Sequence, residues 1–162
     1  MKILIFTEGT ILMHKMALGR PRKKIVEQVK SKLKGVKNYV SYIPIGNAVS
    51  KIQTWQNQGA EICYLTSRRT PKEIEAIGNV LKNYNFPKGK LFYRKKNEQY
   101  KDVAEKIMPA ILIEDDCESI GGEKEMTYPH IKAELKQKIK SIPVKEFGGI
   151  DHLPDSIEDL KL

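Results

Sequence analysis

The chain has 162 residues, 40% of them hydrophobic and 30% charged, with a formal net charge of +9. That length suits one domain with a core of its own, and the composition is that of a globular protein rather than a disordered or fibrous one. Two cysteines, Cys63 and Cys117, argue against a disulfide framework, and the apolar stretch before Thr7 is too short for a signal peptide or a membrane span. A cytoplasmic protein with no membrane partner is expected.

In chain order, Ile3–Phe6 reads as a buried strand running into a turn at Gly9. Residues 11–46 form a small basic insertion. Its helix is predicted from Pro21 to Lys34, with Ile25, Val29 and Leu33 inward and Gly35 as the stop; its Tyr39–Ile45 continuation is either a short strand or a loop. An insertion placed directly after the first strand can lid a pocket above the strand ends. Ala48, Ile52 and Trp55 mark a helix that Gly59 terminates, before a strand at Ile62–Leu65. Thr70-Pro71-Lys72-Glu73 is a capping box with proline at the first helical position, and Ile74, Ile77, Leu81 and Tyr84 follow at helical spacing. Leu91–Tyr93 and Ala110–Ile113 are further strands, separated by a helical face of Tyr100, Val103, Ala104 and Ile107. Ile131, Leu135 and Ile139 predict another helix, Ile142–Phe147 a last strand, and the acidic tail after Gly149 is expected to wrap the surface. Apolar strands alternating with helices imply a doubly wound, mostly parallel five-stranded α/β sheet in a single domain spanning residues 1–162.

Charge is unevenly placed. Residues 15–37 carry nine Lys/Arg against Glu27 alone, and Lys88–Lys101 carry six against Glu98. Such surfaces concentrate anions, so a nucleic-acid partner through residues 15–37 is an open possibility beside a merely solvated helix face. No aromatic interleaves with that lysine-rich run, which weakens base stacking as its purpose.

In open parallel sheets, ligands bind beyond the carboxyl ends of the strands. Four polar clusters fall there: Thr7-Glu8-Gly9-Thr10, Thr66-Ser67-Arg68-Arg69, Lys101 with Arg94-Lys95-Lys96 nearby, and Glu114-Asp115-Asp116. Three adjacent carboxylates repel one another, and a bound cation relieves that cost. Thr66 and Ser67 could equally satisfy loop backbone groups, and Lys95 or Lys96 could stand in for Lys101. His14, His130 and His152 are too scattered for a zinc site, and His14, near the insertion, is at most a ligand contact. Ser67 has no histidine placed to activate it.

The order of these clusters resembles the haloacid dehalogenase superfamily of phosphohydrolases, over about residues 2–122. Its four motifs are Asp-x-Asp-Gly-Thr, a strand ending in Thr or Ser, a helical lysine and a strand ending in paired acids. The resemblance implies that Thr66 and Lys101 hold phosphate oxygens, with Thr7, Gly9, Thr10, Ser67 and Arg68 around the substrate. It also implies magnesium on Asp115 with Asp116 or Glu114 and on Glu8, whose backbone carbonyl is the family's ligand there. Glu8 and Lys101 would be the catalytic pair.

The first motif departs from the pattern: Phe6 stands where the family has its nucleophilic aspartate. A phenyl ring neither attacks phosphorus nor ligates magnesium, so phosphoaspartyl catalysis at position 6 is chemically excluded. The expectation is a magnesium-dependent site that binds a phosphorylated small molecule or nucleotide with little or no turnover. The alternative is a phosphohydrolase using Glu8, either as nucleophile or as base for a metal-bound water. A register slip that makes Glu8 the first acid conflicts with the Gly9-Thr10 that follows it. A response-regulator-like receiver would need its acidic pair after the first strand, where this chain has Thr7 and Glu8.

Overall fold

The strands are β1 (Lys2–Phe6), β2 (Leu12–Met13), β3 (Ile43–Pro44), β4 (Glu61–Leu65), β5 (Lys90–Phe92), β6 (Ile111–Asp115) and β7 (Lys140–Val144). In the computed structural model, which describes residues 1–162, five of them form one sheet in the order β5-β4-β1-β6-β7, with every pair parallel. This is the five-stranded α/β sheet expected from the sequence. β1 lies at its centre, and strand alternation sends Ile3 and Ile5 into one core and Leu4 and Phe6 into another.

The first core is closed by α2 (Ala48–Asn57) and α3 (Pro71–Asn83), which bring Ile52, Trp55, Ile77 and Val80 against Ile3, Ile5, Ile62 and Ile113. α3 begins as its sequence implies: Thr70 accepts a hydrogen bond from the Glu73 amide at 3.3 Å, with Pro71 following. Such a cap is worth about 1 kcal/mol. The tail does more than wrap the surface. Ile150 and Leu160 are buried in this core, and Trp55 Nε1 donates to the Pro154 carbonyl at 2.9 Å.

On the opposite face, α4 (Tyr100–Ile107) packs Val103, Ala104 and Ile107 against Leu4, Leu65 and Leu112. Ile131 and Ile139 join them, but not from the predicted helix. Only one turn forms, α5 (Ala133–Lys136), because Tyr128–His130 is a tight turn containing Pro129 and Ile131 is extended at φ −65°, ψ 142°. The apolar spacing came from two loop residues reaching the same core. β7 likewise ends at Val144 instead of Phe147. Phe147 adopts a left-handed φ of 61°, and its amide donates to the Gly9 carbonyl at 2.7 Å, which bends Glu146 toward the first turn.

In the insertion, β2 and β3 pair antiparallel, Leu12 with Pro44 and Met13 with Ile43. The helix, α1 (Arg22–Lys30), stops before the predicted Lys34, because Ser31 closes it onto the Glu27 carbonyl and Lys32 turns left-handed at φ 53°. Its buried residues are Ile25 and Val26; Val29 is half-buried and Leu33 exposed. The Tyr39–Ile45 stretch is a turn followed by the two-residue β3, and it drops Tyr39 and Tyr42 into the first core. No helix of the chain is long and apolar enough to cross a membrane.

Candidate binding site at the strand ends

The turn after β1 is tied from both sides. The Thr7 carbonyl accepts from the amides of Ile11 at 3.0 Å and Leu12 at 2.9 Å, and the Gly9 amide donates to Leu12 at 2.9 Å. Gly9 has φ +84°, and a Cβ there would stand 2.8 Å from Asp115 Oδ2. Glycine is therefore required twice, by handedness and by the approach of the acid. Phe6, just before the turn, is nearly buried and meets Tyr100 with ring centroids 5.1 Å apart and planes at 74°. Burial of such a ring is worth about 1.5–3 kcal/mol, and the aromatic pair about 0.5–1.5 kcal/mol more. The position to which the resemblance assigns a nucleophile is thus a packed part of the core.

Glu8 turns the other way, onto the end of β4. Its carboxylate accepts from Thr66 Oγ1 at 2.7 Å, Arg68 Nε at 3.0 Å, Ser67 Oγ at 3.3 Å and the Ser67 amide at 3.4 Å, as well as from Thr7 Oγ1. Arg68 also donates to the Tyr39 hydroxyl and lies over that ring, 4.4 Å from its centroid. Thr66 is the donor that the resemblance assigns to phosphate oxygens, and Thr7, Ser67 and Arg68 are those it places around the substrate. A carboxylate of the chain itself is what they hold.

The acidic end of β6 divides in three. Asp115 is buried and accepts from Thr10 Oγ1 at 2.9 Å and the Cys117 amide at 3.0 Å. Burial, with the Glu146 charge adding to it, pushes its carboxyl up to about 7. Glu114 points to the opposite side, where the amides of Thr127 and Tyr128 donate to it at 2.7 and 2.8 Å; burial still raises it above the usual carboxylate range. Asp116 pairs with Lys145 at 3.0 Å and accepts from the Glu146 amide at 3.1 Å. Glu8, Glu114, Asp115 and Asp116 are each committed to different partners, and no three His, Cys, Asp or Glu side chains stand together as a ligand set. The acid side chains are thus not gathered into the magnesium site that the resemblance implies.

Between the strand ends and the insertion lies a cavity of about 310 Å³. Phe6, Tyr39, Tyr42 and Tyr100 give it aromatic walls, and Val29, Leu33 and Val36 of the insertion close one side. Of the residues expected at the site, Glu8, Gly9, Ser67, Arg68, Glu114 and Asp115 line it, while Thr7, Thr10 and Thr66 are buried behind them. His14 lines it too, held by Gln28 at 2.8 Å. Asp116 does not: it faces a separate hollow with Arg22, Lys145 and His152. Lys101 is also outside, paired with Asp102 at 3.2 Å and facing a neighbouring hollow. The sequence reading missed Glu146, which is buried and accepts from the Ser119 amide and hydroxyl, both at 2.6 Å; nothing in Lys145-Glu146-Phe147 marks it. It also missed Tyr39 and Tyr42, whose place in the insertion gave no periodic signal. Most basic side chains of residues 15–37 are exposed, with Lys32 and Lys37 also lining the cavity and Arg22 paired with Glu118.

No protein-family model matches the chain, and no curated protein does. Solved structures do. It is similar to a chain of the Pnkp1/Rnl/Hen1 RNA repair complex, with a TM-score of 0.54 at 13% identity over 90% of this chain and 43% of that one. A second structure of the Pnkp1/Rnl/Hen1 complex gives 0.55 at 13%, over 89% and 46%. A class C acid phosphatase from Bacillus anthracis with tungstate bound gives 0.55 at 14%, over 91% and 68%. The chain spans less than half the length of the first two chains it matches. These likenesses show a fold shared with a class C acid phosphatase and with chains of an RNA repair complex, in keeping with the parallel five-stranded α/β architecture expected from the sequence.

Proposed function

We propose that this chain binds a phosphorylated small molecule or nucleotide and does not hydrolyse it. One observation carries the reading: the nucleophile's position is a packed phenylalanine, and Glu8 is locked onto Thr66, Ser67 and Arg68. A carboxylate held by five donors is a poor nucleophile, since its lone pairs are engaged and attack would break a half-buried ion pair. The cavity supports binding instead. Its volume lies at the small end of ligand pockets, and its walls are aromatic with a few converging polar groups. Phe6 and Tyr100 offer a face or edge to a planar ring, as a nucleobase would supply. The RNA repair complex among the similar structures makes nucleotides the first ligands to test. Magnesium has no part in this reading, because the acids point to separate partners.

The test is a calorimetric titration of nucleoside monophosphates and sugar phosphates, each paired with its dephosphorylated form, followed by product analysis. The expected result is saturable binding that requires the phosphate, with the ligand recovered intact. The reading fails if no phosphorylated compound binds. It fails equally if a bound one is hydrolysed by wild type and spared by Glu8→Gln, the outcome that favours a Glu8-dependent phosphohydrolase.

A further inference from the structure

Arg94, just beyond β5, is the one guanidinium whose buried Nε has no hydrogen-bond partner. It lies over the Tyr100 ring, 3.8 Å from the centroid. Stacking accommodates the flat face of the group but leaves its in-plane N–H donors unmet, and an orphaned buried donor is costly. No carboxylate forms an ion pair with it, and its charged neighbours make matters worse. Burial, with the nearby charges of Arg69 and Arg68, pulls Arg94 below the ordinary guanidinium range.

The group faces a hollow of about 300 Å³ that also presents Lys101 and Lys124. His130 lines it as well, but its Nε2 is engaged with the Lys124 carbonyl at 2.8 Å, so it braces the wall. Glu125 is the single acid of the lining, and it is exposed. Tyr100 and Glu125 line both this hollow and the aromatic cavity, so the two spaces adjoin. Three cations around an unmet donor, with one solvent-facing acid, form a site short of negative charge.

We propose that this hollow is the ligand's phosphate subsite: phosphate oxygens accept from the Arg94 guanidinium and from the ammonium groups of Lys101 and Lys124, while the rest of the molecule lies along Tyr100 into the aromatic cavity. The proposal rests on the reading that the chain binds a phosphorylated compound, and it moves the anion away from Thr66, Ser67 and Arg68, which Glu8 already fills. A guanidinium fork with two flexible ammonium groups suits a tetrahedral anion with several oxygens. It gives Lys101 a phosphate contact, in a different place from the one the sequence suggested.

Inorganic phosphate and adenosine monophosphate, with adenosine as control, test it by NMR of the arginine Nε–Hε groups. The Arg94 signal should shift saturably with both phosphates and not with adenosine. Arg94→Gln should weaken adenosine monophosphate binding about tenfold or more, as expected for loss of a charge-assisted bond. Lys124→Gln, at an exposed position that does not threaten folding, should weaken it less but measurably. Binding that survives Arg94→Gln and Lys124→Gln but is lost in Arg68→Gln would put the phosphate at the Glu8 cluster, overturning the subsite and leaving the binding function standing. Failure of wild type to bind either phosphate would overturn both.

Discussion

Asp115 is a buried carboxyl whose ionisation the fold resists, so removing that ionisation should stabilise the protein in a pH-dependent way. Its carboxyl is raised from 3.8 to about 7, first by burial and then by the Glu146 charge, with hydrogen bonds, chiefly from the Thr10 hydroxyl and the Cys117 amide, opposing. The sign follows from linkage. Below about pH 4 the acid is protonated in both folded and unfolded chains and costs nothing. As pH rises toward 7 the unfolded chain releases its proton first, so folding loses stability over that window. Above 7 the full cost is present and constant. A shift of about three units corresponds to a penalty on the order of 4 kcal/mol at high pH, and roughly 1.5–2 kcal/mol of it is already present at pH 5. Asp115→Asn is nearly isosteric and keeps an oxygen for the Cys117 amide at the position now 3.0 Å away. Urea unfolding of both proteins at several pH values between 5 and 9 should show the variant's relative stability rising by about 2–3 kcal/mol across the range. A difference that is independent of pH, or that moves the other way, would refute the assignment of Asp115 as a desolvated, charge-opposed acid.

Gly9→Ala should destabilise the fold by about 1–3 kcal/mol, because it forces a left-handed alanine against Asp115, and thermal melts will read it; an unchanged melting temperature would mean that the turn relaxes freely. Millimolar magnesium should leave the wild-type melting temperature unchanged, whereas a rise that Asp115→Asn abolishes would show that the acids rearrange around a cation. Nucleic-acid binding through the exposed lysines of residues 15–37 carries its own signature: affinity for a single-stranded RNA that falls steeply with salt and is weakened by Lys30→Glu with Lys34→Glu, measured by fluorescence anisotropy. Salt-insensitive binding would remove electrostatics as its cause.

The sheet was legible because parallel strands buried on both faces are written as continuous apolar runs, and Ile3–Phe6, Ile62–Leu65 and Ala110–Ile113 are such runs. Element ends were less so. Ile131 and Ile139 share helical spacing with Leu135, yet reach the core from a loop that Pro129 and the return to β7 impose. At the site, adjacency in sequence predicted adjacency in space for Glu8, Ser67 and Arg68, because all lie at the ends of neighbouring parallel strands. It held only in part for the three acids: Glu114 and Asp115 line one cavity, but strand alternation gives their carboxylates different partners, and Asp116, past the end of β6, turns to Lys145. Glu146 and Tyr39 arrive from far along the chain through loop geometry, and Arg94 is distinguished only by what it lacks, a partner. Such facts exist only in three dimensions.

Phosphate release is the measurement that tests the central claim most directly. Wild type and Glu8→Gln would be incubated side by side with the phosphorylated ligand that binds best, with and without magnesium. A chain with Phe6 where the resemblance calls for a nucleophile, and with Glu8 held by Thr66, Ser67 and Arg68, should release no phosphate above the uncatalysed rate, in either form. Release by wild type that disappears with Glu8→Gln would contradict the account and make Glu8 the working acid of a phosphohydrolase.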